Sequence, residues 1–344
     1  MPKPRFLLLG FGLICILKTN AQQVSWIPVT VPEVSSFRAL SIPDEETVWV
    51  AGNKGLLGQS ADGGKTWDFK SIEGFEKLDF RSLFAFDKRT AIVANAGSPA
   101  YILRTENAGK NWSIVYENQD SAVFIDGIDF WDAETGLVYG DPIRGKLFVM
   151  KTTDSGKTWN PLPEASLPAF EPGEASFAAS GTNIRCFGKK KVLIASGGSK
   201  SRLFYSINAG NTWKAIEVPI IQGKNSEGIF GIYLLSDKHW IVVGGDYTKE
   251  NQAIKHIFYT LNGGKNWEMP KQATGGYREC VAQLNDEIMI AVGPQGAEIS
   301  TDKGLNWQTI TAPPGLHVVR TSKSGKQSFA AGRNGLFKLE IMKE

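Results

Sequence analysis

Five arginines share one position in a unit that recurs along this chain. Aligning the first strand-like run of each unit puts Arg38, Arg81, Arg185, Arg278 and Arg320 in one column, with Asp126 and Gly231 in the other two units. The residue before each is apolar: Phe37, Phe80, Ile125, Ile184, Phe230, Tyr277 and Val319. Strand alternation sends that neighbour into a core, but it gives no such reason for the arginine. A guanidinium keeps its charge and presents a rigid fork of donors that matches a carboxylate or a phosphate. Two of them about 9 Å apart repel by roughly 2 kcal/mol at an effective dielectric near 20. If the units bring the column together, that repulsion is offset either by internal acids and water or by an anionic ligand. The acids in reach are Asp126 in the column, Asp141 and Asp246 at the ends of second strands, and Glu174 in an insert. These four are also the candidates for catalysis. Glycoside hydrolysis by two carboxyls requires a separation of about 5–9.5 Å.

A second pattern sets the elements that position these residues. Ser or Thr, then Asp or Asn, Gly, Thr or Asn, and Trp recur at fixed spacing in six copies. Their acidic or amide members are Asp62, Asn107, Asp154, Asn208, Asn262 and Asp302. The closing tryptophans stand 40 to 54 residues apart, a period that marks a repeat architecture. In the first unit, residues 37–42, 47–51, 55–60 and 66–69 read as four short antiparallel strands divided by turn residues. The motif occupies the third turn. There the Asp or Asn pins the hairpin, the Gly supplies positive φ, and the Trp packs between units. One carboxylate per turn, replaced by Asn in three copies, is too little charge for a calcium site. The motif is therefore scaffold.

Composition narrows the function classes. The chain has 344 residues, 42% of them apolar, enough for a large core. Lys3 and Arg5, the apolar stretch 6–17 and Thr19-Asn20-Ala21 read as a secretory signal peptide cut after Ala21, with an uncleaved or lipidated anchor at Cys15 as the alternative. The expected mature unit is a single domain over 22–344, periplasmic or extracellular, without a transmembrane segment. Residues 1–21 carry three bases and no acid, so the formal net charge falls from +3 to 0 without them. That removes any argument for nucleic acid. Cys186 and Cys280 fall in non-adjacent units and are expected as buried thiols. His239, His256 and His317 lack metal-ligand spacing. No cofactor or metal is implied, and a monomer is expected.

The repeated motif is the signature of the Asp-box, or BNR, repeat, so the chain resembles the Asp-box β-propellers, sialidases among them. The resemblance implies an all-β fold: a seven-bladed β-propeller of four-stranded antiparallel blades. The blades would run 35–73, 78–117, 122–164, 181–218, 226–270, 275–311, and 315–341 with 24–31, the N-terminal strand completing the last blade and closing the ring. First strands line the channel of a propeller, so the five arginines are expected around one mouth. The inserts 163–183 and 247–255 should open on the same face, with Glu174 the acid nearest the arginines.

Within that group, Phe-Arg-Ala-Leu at 37–40, Val-Trp-Val-Ala-Gly-Asn at 48–53 and Gly-Lys-Thr-Trp at 64–67 resemble the photosystem II stability/assembly factor family and its bacterial relatives. That resemblance implies an exported, non-catalytic scaffold for an anionic group or an acidic protein segment. The alternative is a sialidase-like hydrolase or lyase acting on an anionic sugar. That family pairs its arginines with a Tyr nucleophile and a Glu, and no such pair can be placed from sequence.

Overall fold

Each box closes its hairpin with its own side chains. In the computed structural model, which describes residues 23–32 and 35–342, Ser60 Oγ accepts from the Gly64 amide at 2.8 Å. Asp62 Oδ1 accepts from the Lys65 and Thr66 amides at 3.0 and 2.9 Å, and the Thr66 hydroxyl donates to Asp62 Oδ2 at 2.6 Å. These bonds, the Thr66 hydroxyl first, hold the Asp62 carboxyl down to about 2. The bond from the glycine amide to the Ser or Thr hydroxyl recurs in the other five boxes.

The hairpins build seven antiparallel sheets. Blade 1 comprises Phe37–Ser41, Val48–Gly52, Leu56–Ser60 and Asp68–Ser71. Blade 7 comprises Leu316–Thr321, Ser328–Gly332 and Gly335–Met342, and Gln23–Val29 completes it by pairing with Gly335–Met342, Trp26 opposite Leu339. The chain ends thus close the ring and remove its open edge. Blade 5 departs from the four-strand pattern. Its outer strand is reduced to one bridge, Tyr259 to Glu268, while Glu174–Ala175 and Gly197–Gly198 extend its inner edge. The signal-peptide reading lies outside the described residues. Among those residues, no helix is long and apolar enough to cross a membrane.

The core lies between blades. Second strands such as Val48–Gly52 and Met289–Gly293 are buried along their whole length, because each blade has a neighbour on both faces. The box tryptophan of one blade meets an aromatic of the preceding one: Trp112 lies edge-on to Trp49 and Trp67 edge-on to Phe329. The box glycine permits that approach. At Gly156, φ is +74° and a Cβ would stand 2.1 Å from Ile92 Cδ1 of the preceding blade.

First strands carry a bulge. Pairing with the second strand slips by one residue after Phe37, Phe80, Ile125, Ile229 and Leu316. At Gly52, Gly140, Gly244 and Gly332, the carbonyl of the residue just before Phe37, Ile125, Ile229 and Leu316, respectively, occupies the place of a side chain; a Cβ would lie 1.8–2.2 Å from it.

Gly156→Ala should therefore lose about 2–4 kcal/mol, combining left-handed strain with overpacking of Ile92. Gly74→Ala has the same sign of φ but open space around it and should lose only about 1–2 kcal/mol. Denaturant unfolding of both variants checks the difference; equal losses would show that blade spacing does not depend on the box glycine.

Candidate functional site

The bulge fixes which first-strand residues reach the channel. Strand pairing places Arg38, Arg81, Asp126, Phe230 and His317 at the bulge of five blades, and Thr182 and Glu279 take the equivalent place just before the first strands of blades 4 and 6. Three residues further along stand Ser41, Phe84, Asp129, Arg185, Tyr233, Ala282 and Arg320. Two rings result, one towards each face: Arg38, Arg81, Asp126, Phe230 and Glu279 line one cavity, and Asp129, Arg185, Tyr233, Ala282 and Arg320 the other. The expectation that five arginines surround one mouth is corrected. Arg38 and Arg81 belong to the first ring, Arg185 and Arg320 to the second, and Arg278 to neither. Gly231 is likewise displaced by one residue.

The first mouth is a cavity of about 400 Å³, opening where second strands end. Arg38, Arg81, Asp126, Phe230 and Glu279 line it with Asp141, Tyr247, Tyr277 and Arg333. Residues 176–179 of the insert 163–183 fold over it. The insert's backbone meets the arginines directly. Arg38 Nη1 donates to Ala179 O at 3.2 Å, Arg81 Nη1 to Ala178 O at 3.4 Å, and Arg320 Nη2, from the other ring, to Ser180 O at 3.0 Å. The Ser180 hydroxyl is anchored on Glu279 O at 2.8 Å. Three successive carbonyls thus take three guanidiniums and close the channel between the two rings.

Acids complete the compensation. Arg38 pairs with Glu279 at 2.7 Å, and the same carboxylate oxygen meets His317 Nδ1 at 3.0 Å. Burial pushes the Glu279 carboxyl up, but Arg38 and His317 outweigh it and leave it below its ordinary value. Arg81 pairs with Asp79 at 2.7 Å. Arg278 lies buried in a fork-to-carboxylate pair with Glu298, its Nε to Oε2 distance 2.6 Å.

The four acid candidates separate. Glu174 is not beside the mouth arginines; it is buried in a two-point pair with Arg202, its Oε1 3.1 Å from Nε. Asp246 caps its own turn by accepting from the Thr248 amide at 2.9 Å and the Thr248 hydroxyl at 2.6 Å. Only Asp126 and Asp141 share the first mouth. Asp126 is fully buried and neither of its carboxylate oxygens has a hydrogen-bond partner among the described residues. Burial first, and Asp141 second, push it well above the usual carboxylate range; Arg81 offsets only part of this.

The second mouth, about 590 Å³, opens on the box face among the turns between first and second strands. Asp129, Arg185, Tyr233 and Arg320 line it, with Cys186, Lys323 and Ser324. Cys186 and Cys280 are both free.

Glu279 and His317 escaped the sequence reading, although the chain carries a marker for them. In blades 1–6 that position lies fourteen residues before one at or near the end of the second strand: Gly52, Asn95, Gly140, Ser196, Gly244 and Gly293. The distance from bulge to box varies because the outer hairpins differ in length.

Asp126 gives a signed pH prediction. The unfolded chain loses this proton near 3.8, whereas the folded chain keeps it to higher pH. Stability contributed by this group therefore falls as pH rises above that value. Asp126→Asn should melt at a higher temperature than the parent at neutral pH, and the gap should close as pH falls towards 4. A gap that is constant with pH, or a less stable variant at neutral pH, would contradict the burial argument.

Comparison with known proteins agrees with this architecture. The family described as Photosynthesis system II assembly factor YCF48 matches residues 18–120. Photosystem II stability/assembly factor HCF136 of Arabidopsis thaliana chloroplasts is 24% identical over 277 residues, covering 75% of this chain; the chain spans 62% of that relative's length. A structure of YCF48 bound to D1 peptide superposes with a TM-score of 0.66 at 17% identity, covering 93% of this chain and 97% of that one. YCF48 from Cyanidioschyzon merolae gives 0.63 at 18% identity, covering 91% and 98%. With its six boxes and seven closed blades, the chain is an Asp-box β-propeller resembling the photosystem II stability/assembly factor family.

Proposed function

We propose that this chain is an exported, non-catalytic binding propeller that holds an acidic segment of another protein at the first mouth. The observation that carries the reading is the lining of that mouth. The half-exposed Arg81 and the exposed Arg333 stand beside Arg38 around a cavity walled by Phe177, Phe230, Tyr247 and Tyr277. Aromatic faces and forked donors on a rigid ring suit a peptide backbone with carboxylate side chains. The YCF48 solved with a D1 peptide has the same fold and carries a peptide, which supports a peptide-holding role by analogy.

In a titration with acidic and neutral peptides, Arg81→Gln with Arg333→Gln should weaken the acidic peptide about tenfold, the size of one charge-assisted hydrogen bond. Raised salt should weaken it in the parent as well. Equal affinity for both peptides, or no loss in the double variant, would remove the acidic-segment reading.

One contact favours the hydrolase alternative. The Tyr277 phenol meets Glu279 beside Arg38, a Tyr–Glu–Arg grouping of the kind sialidases use. Its electrostatics oppose that chemistry. Burial first, then the Glu279 charge, push the phenol well above its ordinary value, and Glu279 is already held by Arg38 and His317. A fluorogenic sialoside should give no turnover above that of a Tyr277→Phe variant. Turnover that this substitution abolishes would establish the hydrolase.

A further inference from the structure

The peptide-holding reading leaves the second mouth unused, and its charges are not balanced. Arg185 and Arg320 both project from first strands into one cavity of about 590 Å³. Arg320 places its terminal nitrogens on Val319 O and Ser180 O, at 3.2 and 3.0 Å, with Cys280 Sγ as a third contact. Arg185 uses only Nε, on Ile232 O at 2.9 Å. Among the described residues, its two terminal nitrogens have no hydrogen bond. The acid between them is already committed: Asp129 accepts from the Phe130 amide at 2.9 Å and from the Cys186 amide at 2.7 Å. Asp286 lies exposed on the rim, opposite in sign to the exposed Lys323.

Two permanent cations therefore share one partly buried acid, and the crowding is visible in the groups themselves. Burial, followed by repulsion from Arg185, brings Arg320 down to about 10. A guanidinium cannot relieve such crowding by losing its proton near neutral pH. It is relieved by a counter-charge with several acceptor oxygens, small enough to sit between two forks. Around that position the wall supplies further hydrogen-bonding groups: Ser322, Ser324 and the Asn285 side chain.

We propose that the second mouth binds a phosphate group, held between the fork of Arg185 and the side of Arg320, with Lys323 at the entrance. This site lies on the box face, opposite the peptide-holding mouth, and stands or falls separately from it. Inorganic phosphate and a phosphomonoester offer the same oxygens, so both are candidates for the natural source.

The test is calorimetric titration of the full chain with inorganic phosphate and with glycerol 1-phosphate, against sodium chloride at matched ionic strength. Saturable binding of either supports the site, and the tighter of the two names the source. Arg185→Gln should weaken binding about tenfold or more, and the exposed Lys323→Gln about threefold. Lys70→Gln, on the outer strand of blade 1, should leave affinity unchanged. If Arg185→Gln fails to fold, the Lys323→Gln and Lys70→Gln pair still decides. No saturable binding by the parent, or equal affinity in Lys323→Gln, Lys70→Gln and any folded Arg185→Gln, would overturn the proposal.

Discussion

The channel depends on one contact: the backbone of residues 178–180 laid against Arg38, Arg81 and Arg320. Guanidiniums facing a common axis repel one another and cannot discharge. A hydrogen bond to a charged donor contributes about 1.5–3 kcal/mol, so three carbonyls in succession offset much of that repulsion without adding a charge. The same contact closes the channel and creates two unlike mouths. On one side Arg38 and Arg81 are further satisfied by Glu279 and Asp79. On the other, Arg185 and Arg320 share Asp129.

The surrounding ring makes that arrangement possible. Six boxes fold their hairpins from local side chains, and their glycines let each blade approach the one before it. The closing strand Gln23–Val29 ties the first blade to the last. A scaffold fixed in this way tolerates irregularity where the insert enters. Blade 5 exchanges most of an outer strand for two short inner ones, and those come from the insert and from the loop after a blade 4 strand. Glu174, buried against Arg202, fastens the insert at that point.

The fold was legible because its determinants are local. A box is eight residues long, and its polar side chains act within the same turn. Blade number, strand order and ring closure all follow from counting boxes and from the strand-like residues at both ends. The site was only partly legible because its determinant is a register. Arg38, Arg81 and Asp126 share the bulge register, since their blades align without gaps. In blades 4 to 7 the apolar-then-arginine pattern was misleading. Arg185 and Arg320 sit three residues past the bulge and Arg278 one before it, and Glu279 and His317 were passed over. The bulge is dictated by a carbonyl approaching a second-strand glycine, a contact between residues fifteen or so apart that alternation alone does not reveal. The partners of Arg81 and Arg320 in the insert were beyond sequence reasoning, because backbone carbonyls carry no residue signature.

The most direct test of the central claim is a crystal structure of the chain, read at residues 177–182 and at five guanidiniums. The account predicts ordered density for this segment across the channel, the carbonyls of Ala178, Ala179 and Ser180 turned to Arg81, Arg38 and Arg320, and Arg185 on the box side. An open channel with the segment outside it, or all five arginines gathered at one mouth, would contradict it.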